Sequence, residues 1–374
     1  MFIGFVNRLL NAEKSGREGN RLQDNRVTIG EVAKAAGVSK TTVSRYLNGK
    51  YDFMSAQTRE RIRTVVEELR YRPSNVARSL KLRNSRAIGC VIADIANPFS
   101  SILLKGVGDV CSENGYQVLF SNTDDSSERE ASAVRELLDS RVDGLIVNTS
   151  GGCGGLLEEL NGNGVPIVLA DRRIERENVL DTVTTDNYRS TRACMEHLFQ
   201  KGFRKVAFFT QGSGEASPRA ERLGAYRGSV RERFGGKPVI LDAAGREECA
   251  RQLIRFSEEN AGERHAVFCV NGLALLTVLQ AMREAGIRIS ERFGVCGFDD
   301  WGWASLIPPG ITTIAQDSYA VGVESAKLLL KRIAGEQPAS PICRVLSNRL
   351  CIRGSTDPEL AENFPADFKD GRNP

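Results

Sequence analysis

Residues 28–48 read TIGEVAKAAGVSKTTVSRYLN, and their pattern gives two short helices joined by a tight turn. Thr28 and Glu31 have the Thr-x-x-Glu spacing of a capping box, in which each side chain satisfies an amide left open at a helix start. Val32, Ala33 and Ala36 give the first helix an apolar face. Gly37 ends it, because glycine takes the left-handed position past a helix end without steric cost. Ser39 can cap the second helix, whose Val43 and Leu47 repeat at i, i+4 on one side. Lys40, Thr41, Thr42, Ser44 and Arg45 then fall on its exposed face, and such side chains bond base edges and phosphates. The whole is a helix-turn-helix whose second helix suits the major groove of DNA. A surface helical hairpin with solvated charges is the competing reading of these residues alone.

The flanking sequence weakens that alternative. SAQTRERIRTVVEELRYRPSNVARSL, residues 55–80, holds a third amphipathic helix in which Ile62, Val65, Val66 and Leu69 can roof the first two. Arg72 to Leu80 follow as a short basic helix with little apolar surface. Residues 21–86 carry 15 Lys+Arg against 6 Asp+Glu, while the whole 374-residue chain is only +4. A basic head on a mildly acidic body is the footprint of a nucleic-acid-binding module fused to something else.

Many positions in this region agree, in order and spacing, with one family. Val38-Ser39, Thr42-Val43-Ser44-Arg45, Leu47-Asn48, Ser55, Thr58-Arg59 and Tyr71-x-Pro73-x-x-x-Ala77-Arg78-x-Leu80, continued by RAIGCVIADIANPF at 86–99, closely resemble the lactose-repressor (LacI/GalR) family of bacterial transcription regulators. The resemblance runs to about residue 354. It implies a DNA-binding domain over 27–72, a hinge helix and linker over 73–86, and a periplasmic-binding-protein-like effector and dimerisation core over 87–354. It also implies that the hinge helix pairs with its dimer mate in the minor groove, with Leu80 as an apolar wedge. Thr28, Ser39, Lys40, Thr41, Thr42, Ser44, Arg45, Asn48, Ser55, Thr58, Asn75, Ala77, Arg78 and Leu80 are the DNA-binding candidates.

Residues 1–26 do not fit the family. MFIGFVNRLL is too short and interrupted for a signal peptide, and the polar run after it suits disorder. From residue 87 apolar strand-like runs alternate with helices of 10–15 residues, which indicates parallel sheets with crossover helices. Two such series predict two doubly wound α/β lobes with a cleft between them. The resemblance sets the crossings near 187, 316 and 343. Lobe one is then about 87–186 and 317–342, and lobe two about 187–316 and 343–354. Residues 355–374, charged and aperiodic, are expected to be a loose tail.

Chemistry of other kinds finds little support. Nine cysteines show no C-x-x-C spacing and several sit in apolar runs, so they read as small buried hydrophobes in a reducing cytosol. With His197 and His265 the only histidines, no metal site is expected. Gly152-x-Gly154 is followed by Leu157 where a dinucleotide fingerprint needs glycine. No phosphate loop, nucleophile elbow or H-E-x-x-H is present, so catalytic residues and cofactors are not expected. No apolar run reaches the roughly 18 residues of a membrane helix.

What remains is a set of polar residues at strand ends, where open α/β sheets bind ligands. Phe99, Ser100, Asn122, Asn148, Asp171 and Arg172 come from the first lobe. Arg219, Arg222, Asn271, Asp299 and Trp301 come from the second. The resemblance assigns Arg222 and Asp299 to effector grip and Phe99 and Ser100 to a first-lobe wall. Trp301 is placed to stack on a sugar-like ring. Gly272 departs from the family, where many relatives have Asn-Asp at this point. Three arginines near one cleft suit a carboxylate. The expectation is therefore a cytoplasmic homodimeric regulator, a repressor by family habit. It binds a palindromic double-stranded DNA operator and responds to a sugar or sugar acid such as a keto-gluconate. No leucine-heptad tail follows the core, which favours a dimer over a tetramer. The rivals are a solute-binding protein and a sugar-metabolising enzyme of similar two-lobed fold.

Overall fold

The structure, a computed structural model, describes residues 27–52, 54–71, 85–176, 179–210, 216–242, 245–289, 292–336 and 340–361. Internal contacts divide the chain at Arg83/Asn84 into two compact units. The first is a three-helix head: α1 (Ile29–Ala35), α2 (Lys40–Leu47) and α3 (Ala56–Glu68). Its core is small. Val32, Ala33, Ala36, Val43 and Ile62 are buried, and Leu47, Val65, Val66 and Leu69 pack around them. The expected disordered extension over 1–26 and the hinge helix lie outside the described residues.

The second unit begins with β1 (Ala87–Ile92), α4 (Pro98–Glu113), β2 (Gln117–Asn122), α5 (Ser127–Asp139), β3 (Gly144–Val147), α6 (Gly154–Gly162), β4 (Ile167–Ala170) and β5 (Asp181–Thr185). It continues with α7 (Asn187–Gln200), β6 (Lys205–Thr210), α8 (Ser217–Ser229), β7 (Val239–Asp242), α9 (Arg246–Glu259), β8 (His265–Cys269), α10 (Gly272–Glu284) and β9 (Phe293–Phe298). It closes with β10 (Thr312–Ala315), α11 (Ser318–Ile333), β11 (Cys343–Leu346), β12 (Arg349–Cys351) and α12 (Pro358–Ala361). Two six-stranded sheets result, in the orders β11-β5-β4-β3-β1-β2 and β12-β10-β9-β8-β6-β7. The first is wholly parallel. In the second, β12 runs antiparallel to β10.

Buried parallel strands must be apolar on both faces, and β1 shows how that is met. Ile88, Cys90 and Ile92 face a core shared with α4 and α11. Val91 faces the opposite core, built from Val134, Leu137 and Leu157. Helix α11 belongs to the first lobe because it crosses α4 at two glycines. A Cβ on Gly106 would lie 2.3 Å from the Tyr319 carbonyl, and one on Gly322 would lie 2.0 Å from the Leu103 carbonyl.

Two expectations are corrected. Strand β11 pairs with β5 of the first sheet and β12 with β10 of the second. The third crossing therefore falls at residues 347–348, not near 343, and Cys343–Leu346 is lobe one. Residues 355–357 are not a loose tail. Ser355, Thr356 and Asp357 are buried, with the Ser355 hydroxyl donating to the Val295 carbonyl and accepting from the Thr312 amide. Of the cysteines, Cys343 is exposed rather than buried.

Candidate functional site

The head presents its polar residues as the local sequence dictates. Thr28 and Glu31 form the reciprocal capping box, and Gly37 takes φ +61° past the end of α1. Ser39 Oγ accepts from the Thr42 amide at 3.1 Å and Ser55 Oγ from the Thr58 amide at 3.2 Å, so each hydroxyl starts a helix. Lys40, Thr41, Arg45 and Asn48 are exposed. Thr42 and Ser44 are half-buried, not on the open face, because the Thr42 hydroxyl bonds Ser39. Asn48 turns its amide back onto the Ser44 carbonyl at 2.7 Å. Sequence reading missed the aromatic cluster beside this helix. Tyr46 of α2 stands edge-on to Tyr51, whose ring lies 4.0 Å beneath the Arg59 guanidinium. Asn75, Ala77, Arg78 and Leu80 lie outside the described residues.

The core unit holds a narrow cavity of about 40 Å³ between its lobes. Phe99, Ser100, Asn148, Asp171 and Arg172 line it from the first lobe, and Arg219, Arg222, Asn271 and Asp299 from the second. Asn97, after β1, lines it as well, and Ala216, Pro218 and Gln316 were not foreseen there. Two expected residues lie elsewhere. Asn122 is exposed and braces the next turn, accepting from the Ile95 amide at 2.8 Å. Trp301 covers Gly272, where a Cβ would come within 2.6 Å of the indole ring.

Each lining group has a distinct state. Asp299 is 4% exposed and therefore buried. Its Oδ1 accepts from Gln316 Nε2 at 2.7 Å and its Oδ2 from the Gly272 amide at 2.8 Å. Arg222, on α8, belongs to the same lobe. Arg222 lies over the Phe298 ring and donates to Asn187 Oδ1, the Val270 carbonyl and Gln316 Oε1, each at 2.8 Å. Burial holds its pKa below the ordinary arginine value, an effect Asp299 and Asp171 oppose. Gln316 also accepts from Thr185 Oγ1 at 2.9 Å. It therefore ties two of the three lobe crossings to the cavity floor.

The first-lobe wall rests on a buried acid. Glu130 accepts from Thr149 Oγ1 at 2.7 Å and from the Ser150 amide at 2.6 Å. Thr149 in turn offers its carbonyl to Arg172 Nη1 at 3.1 Å. Asn148 staples neighbouring strand ends, donating to the Ala170 carbonyl at 3.0 Å. Asp171 is different. Its Oδ1 is buried without a hydrogen-bond partner, and burial pushes its pKa up to about 6 against the pull of Arg222 and Arg172. Arg219 has one ion pair among the described residues, with Asp125 at 3.8 Å, while Asp171 and Asp94 act on it from further off. Burial lowers its pKa, and the nearby Arg172 adds to this. The cavity thus offers a hydroxyl acceptor and a weakly neutralised cation. Among the described residues no group of three or more His, Cys, Asp or Glu could hold a metal ion, and no helix is long and apolar enough to cross a membrane.

Fold and site define a class: a helix-turn-helix head joined to a two-lobed core of the periplasmic-binding-protein type. Residues 28–74 match the bacterial regulatory proteins of the lacI family, and residues 195–356 match the periplasmic binding protein-like domain. The HTH-type transcriptional regulator KdgR of Bacillus subtilis (strain 168) is 41% identical, covering 83% of this chain and 93% of its own length. The HTH-type transcriptional regulator PtxS of Pseudomonas putida is 37% identical, covering 89% and 97%. Among solved structures, the lac repressor dimer bound to operator and the anti-inducer ONPF superposes with a TM-score of 0.77 at 27% identity, over 89% of this chain and 99% of that one. The chain belongs to the lacI family of bacterial regulatory proteins. Its relatives are named as transcriptional regulators, not as enzymes.

Proposed function

We propose that the chain is a cytoplasmic homodimeric regulator that binds a palindromic DNA operator through α2 and the hinge helix, and that a sugar acid bound in the cleft controls that binding. Repression is the expected direction. The lac repressor relative is a dimer on its operator, which supports the dimer and operator parts of this reading. The observation that carries the effector class is the pairing of an orphaned carboxylate oxygen on Asp171 with the weakly neutralised Arg219 in one cavity. A ligand hydroxyl satisfies the first and a ligand carboxylate the second, through charge-assisted bonds. No cofactor is part of the reading. Because binding free energies are reciprocal, effector and operator alter each other's affinity by the same factor.

A thermal-shift screen of sugars, sugar acids, their phosphates and nucleobases tests the class, followed by operator binding with the best ligand. The expected result is stabilisation by hydroxy acids of the keto-gluconate kind, with a change in operator affinity. Stabilisation by nucleobases or neutral sugars alone would overturn the effector assignment.

A further inference from the structure

Asp125 is the acid that neutralises Arg172 and Arg219, and it differs from the other acids of the cleft. It follows β2 in a turn where Asp124 and Asp125 both take positive φ, 49° and 56°. Its amide is pinned to the Ala93 carbonyl at 2.8 Å. The backbone is therefore fixed and only the side chain can turn away. One carboxylate oxygen bonds Arg172 Nη1 of the same lobe, and the other stands 3.8 Å from Arg219 Nη2 of the opposite lobe. The arginine side chains are 11% and 20% exposed, but that of Asp125 is 42% exposed. The arginines are walls of the cavity, and Asp125 reaches them from its rim.

That asymmetry matters for an anionic ligand. The cleft already holds at least as many acids as arginines: Asp125, Asp171 and Asp299 stand beside Arg172, Arg219 and Arg222, and Asp94 also acts on Arg219. An added carboxylate leaves negative charge in excess. Asp171 and Asp299 are 8% and 4% exposed, so neither reaches solvent as Asp125 does. Asp125 can rotate into solvent and be rehydrated. We infer that Asp125 is a built-in stand-in for the effector's carboxylate: it occupies Arg172 and Arg219 between binding events, and an anionic effector displaces it. This rests on the sugar-acid reading and adds a specificity device to it. A neutral polyol would leave the Asp125 pair intact, whereas an acid must break it and then inherits a link that spans both lobes.

The test uses the full chain with D-gluconate and D-glucitol, which differ only in carrying a carboxylate or a hydroxymethyl at one end, with 2-keto-D-gluconate as a second acid. Titration calorimetry at constant ionic strength compares wild type, Asp125→Asn and Asp124→Asn. Asp124 pairs with Arg129 outside the cleft, so its substitution removes the same charge without touching the device. Asp125→Asn is expected to bind both acids about five-fold tighter, the size of one half-exposed ion pair. D-Glucitol binding should be unchanged, and Asp124→Asn should behave as wild type. Acid binding that is unchanged or weaker in Asp125→Asn, or tightened equally in Asp124→Asn, would overturn the inference and leave the sugar-acid reading standing. A wild type that prefers D-glucitol, or ignores all three compounds, would overturn both.

Discussion

Asp171 sits at φ +69° with one carboxylate oxygen buried and unpartnered, and its pKa is raised to about 6 by burial. The sign of the consequence follows from linkage. A carboxyl raised above its unfolded value near 3.9 favours the folded state when protonated, so the stability it contributes is full below about pH 4 and lost as pH rises through 6. Asp171→Asn should therefore stabilise the ligand-free core at pH 7 by an amount on the order of 2–3 kcal/mol, seen as a higher melting temperature, and change it little at pH 4. Effector affinity in the wild type should rise between pH 5 and 7, because a ligand hydroxyl bonds the ionised form best. Melting curves that move equally at both pH values would rule out this account of Asp171. Gly272 makes a second case. Gly272→Ala pushes a Cβ toward the Trp301 ring and should cost about 1–3 kcal/mol by overpacking. Trp301→Ala in the same chain should return part of that loss. Additive losses in the double mutant would show that the two residues do not share the space. Asp171 as a cleft residue was readable from its place after an apolar strand. The Trp301–Gly272 contact was not, because it joins the start of α10 to the turn after β9, 29 positions apart in sequence. The Arg222–Gln316–Asp299 linkage was hidden for the same reason.

Helices were more legible than strands, and the reason lies in how each announces itself. Helices α4, α5, α10 and α11 follow the alternation of strand and helix expected from residue 87 onward, since amphipathic period and caps mark both ends. Strand β5 was missed because DTVTT has no apolar run. It is buried all the same, and its threonines turn inward by bonding the Leu180 and Asp171 carbonyls and Gln316. Strands β10, β11 and β12 are only three or four residues long, too short for a period to show, which is why the third crossing was misplaced. The α4–α11 crossing gives the prediction at this scale. Gly322→Ala would set a Cβ against the α4 backbone at Leu103 and Val107 and should cost more than about 2 kcal/mol, since backbone cannot give way as a side chain can. Gly108→Ala, on the same α4 but with nothing within 4 Å of its Cβ, should instead stabilise by roughly 0.5–1 kcal/mol. Denaturant melts of the two variants decide it, and equal shifts would deny the close crossing. In the head, replacing Lys40 and Thr41 together should alter preference among DNA sequences by about 1–3 kcal/mol per misread base pair. Binding loss of the same size on every sequence would show that they touch only phosphate.

Across the whole molecule the charge distribution and the division into units point the same way. The head has its own core and the basic excess, and the remainder has two sheets and the cavity. The division was legible from the change of hydrophobic period near residue 87 and from the charge imbalance, both of which survive without any tertiary information. The hinge segment was expected only through family resemblance, and residues 72–84 lie outside the described residues. DNA binding is proposed to reside in the head and its hinge and to be electrostatically driven. The dependence of duplex-DNA affinity on salt tests this, measured for the full chain and for a chain beginning at Asn84. Each neutralised phosphate contributes a slope of about −0.9 in log K against log salt. A steep negative slope is expected for the full chain, and no measurable DNA binding by the folded core. A core that bound the duplex with the full chain's slope would contradict it.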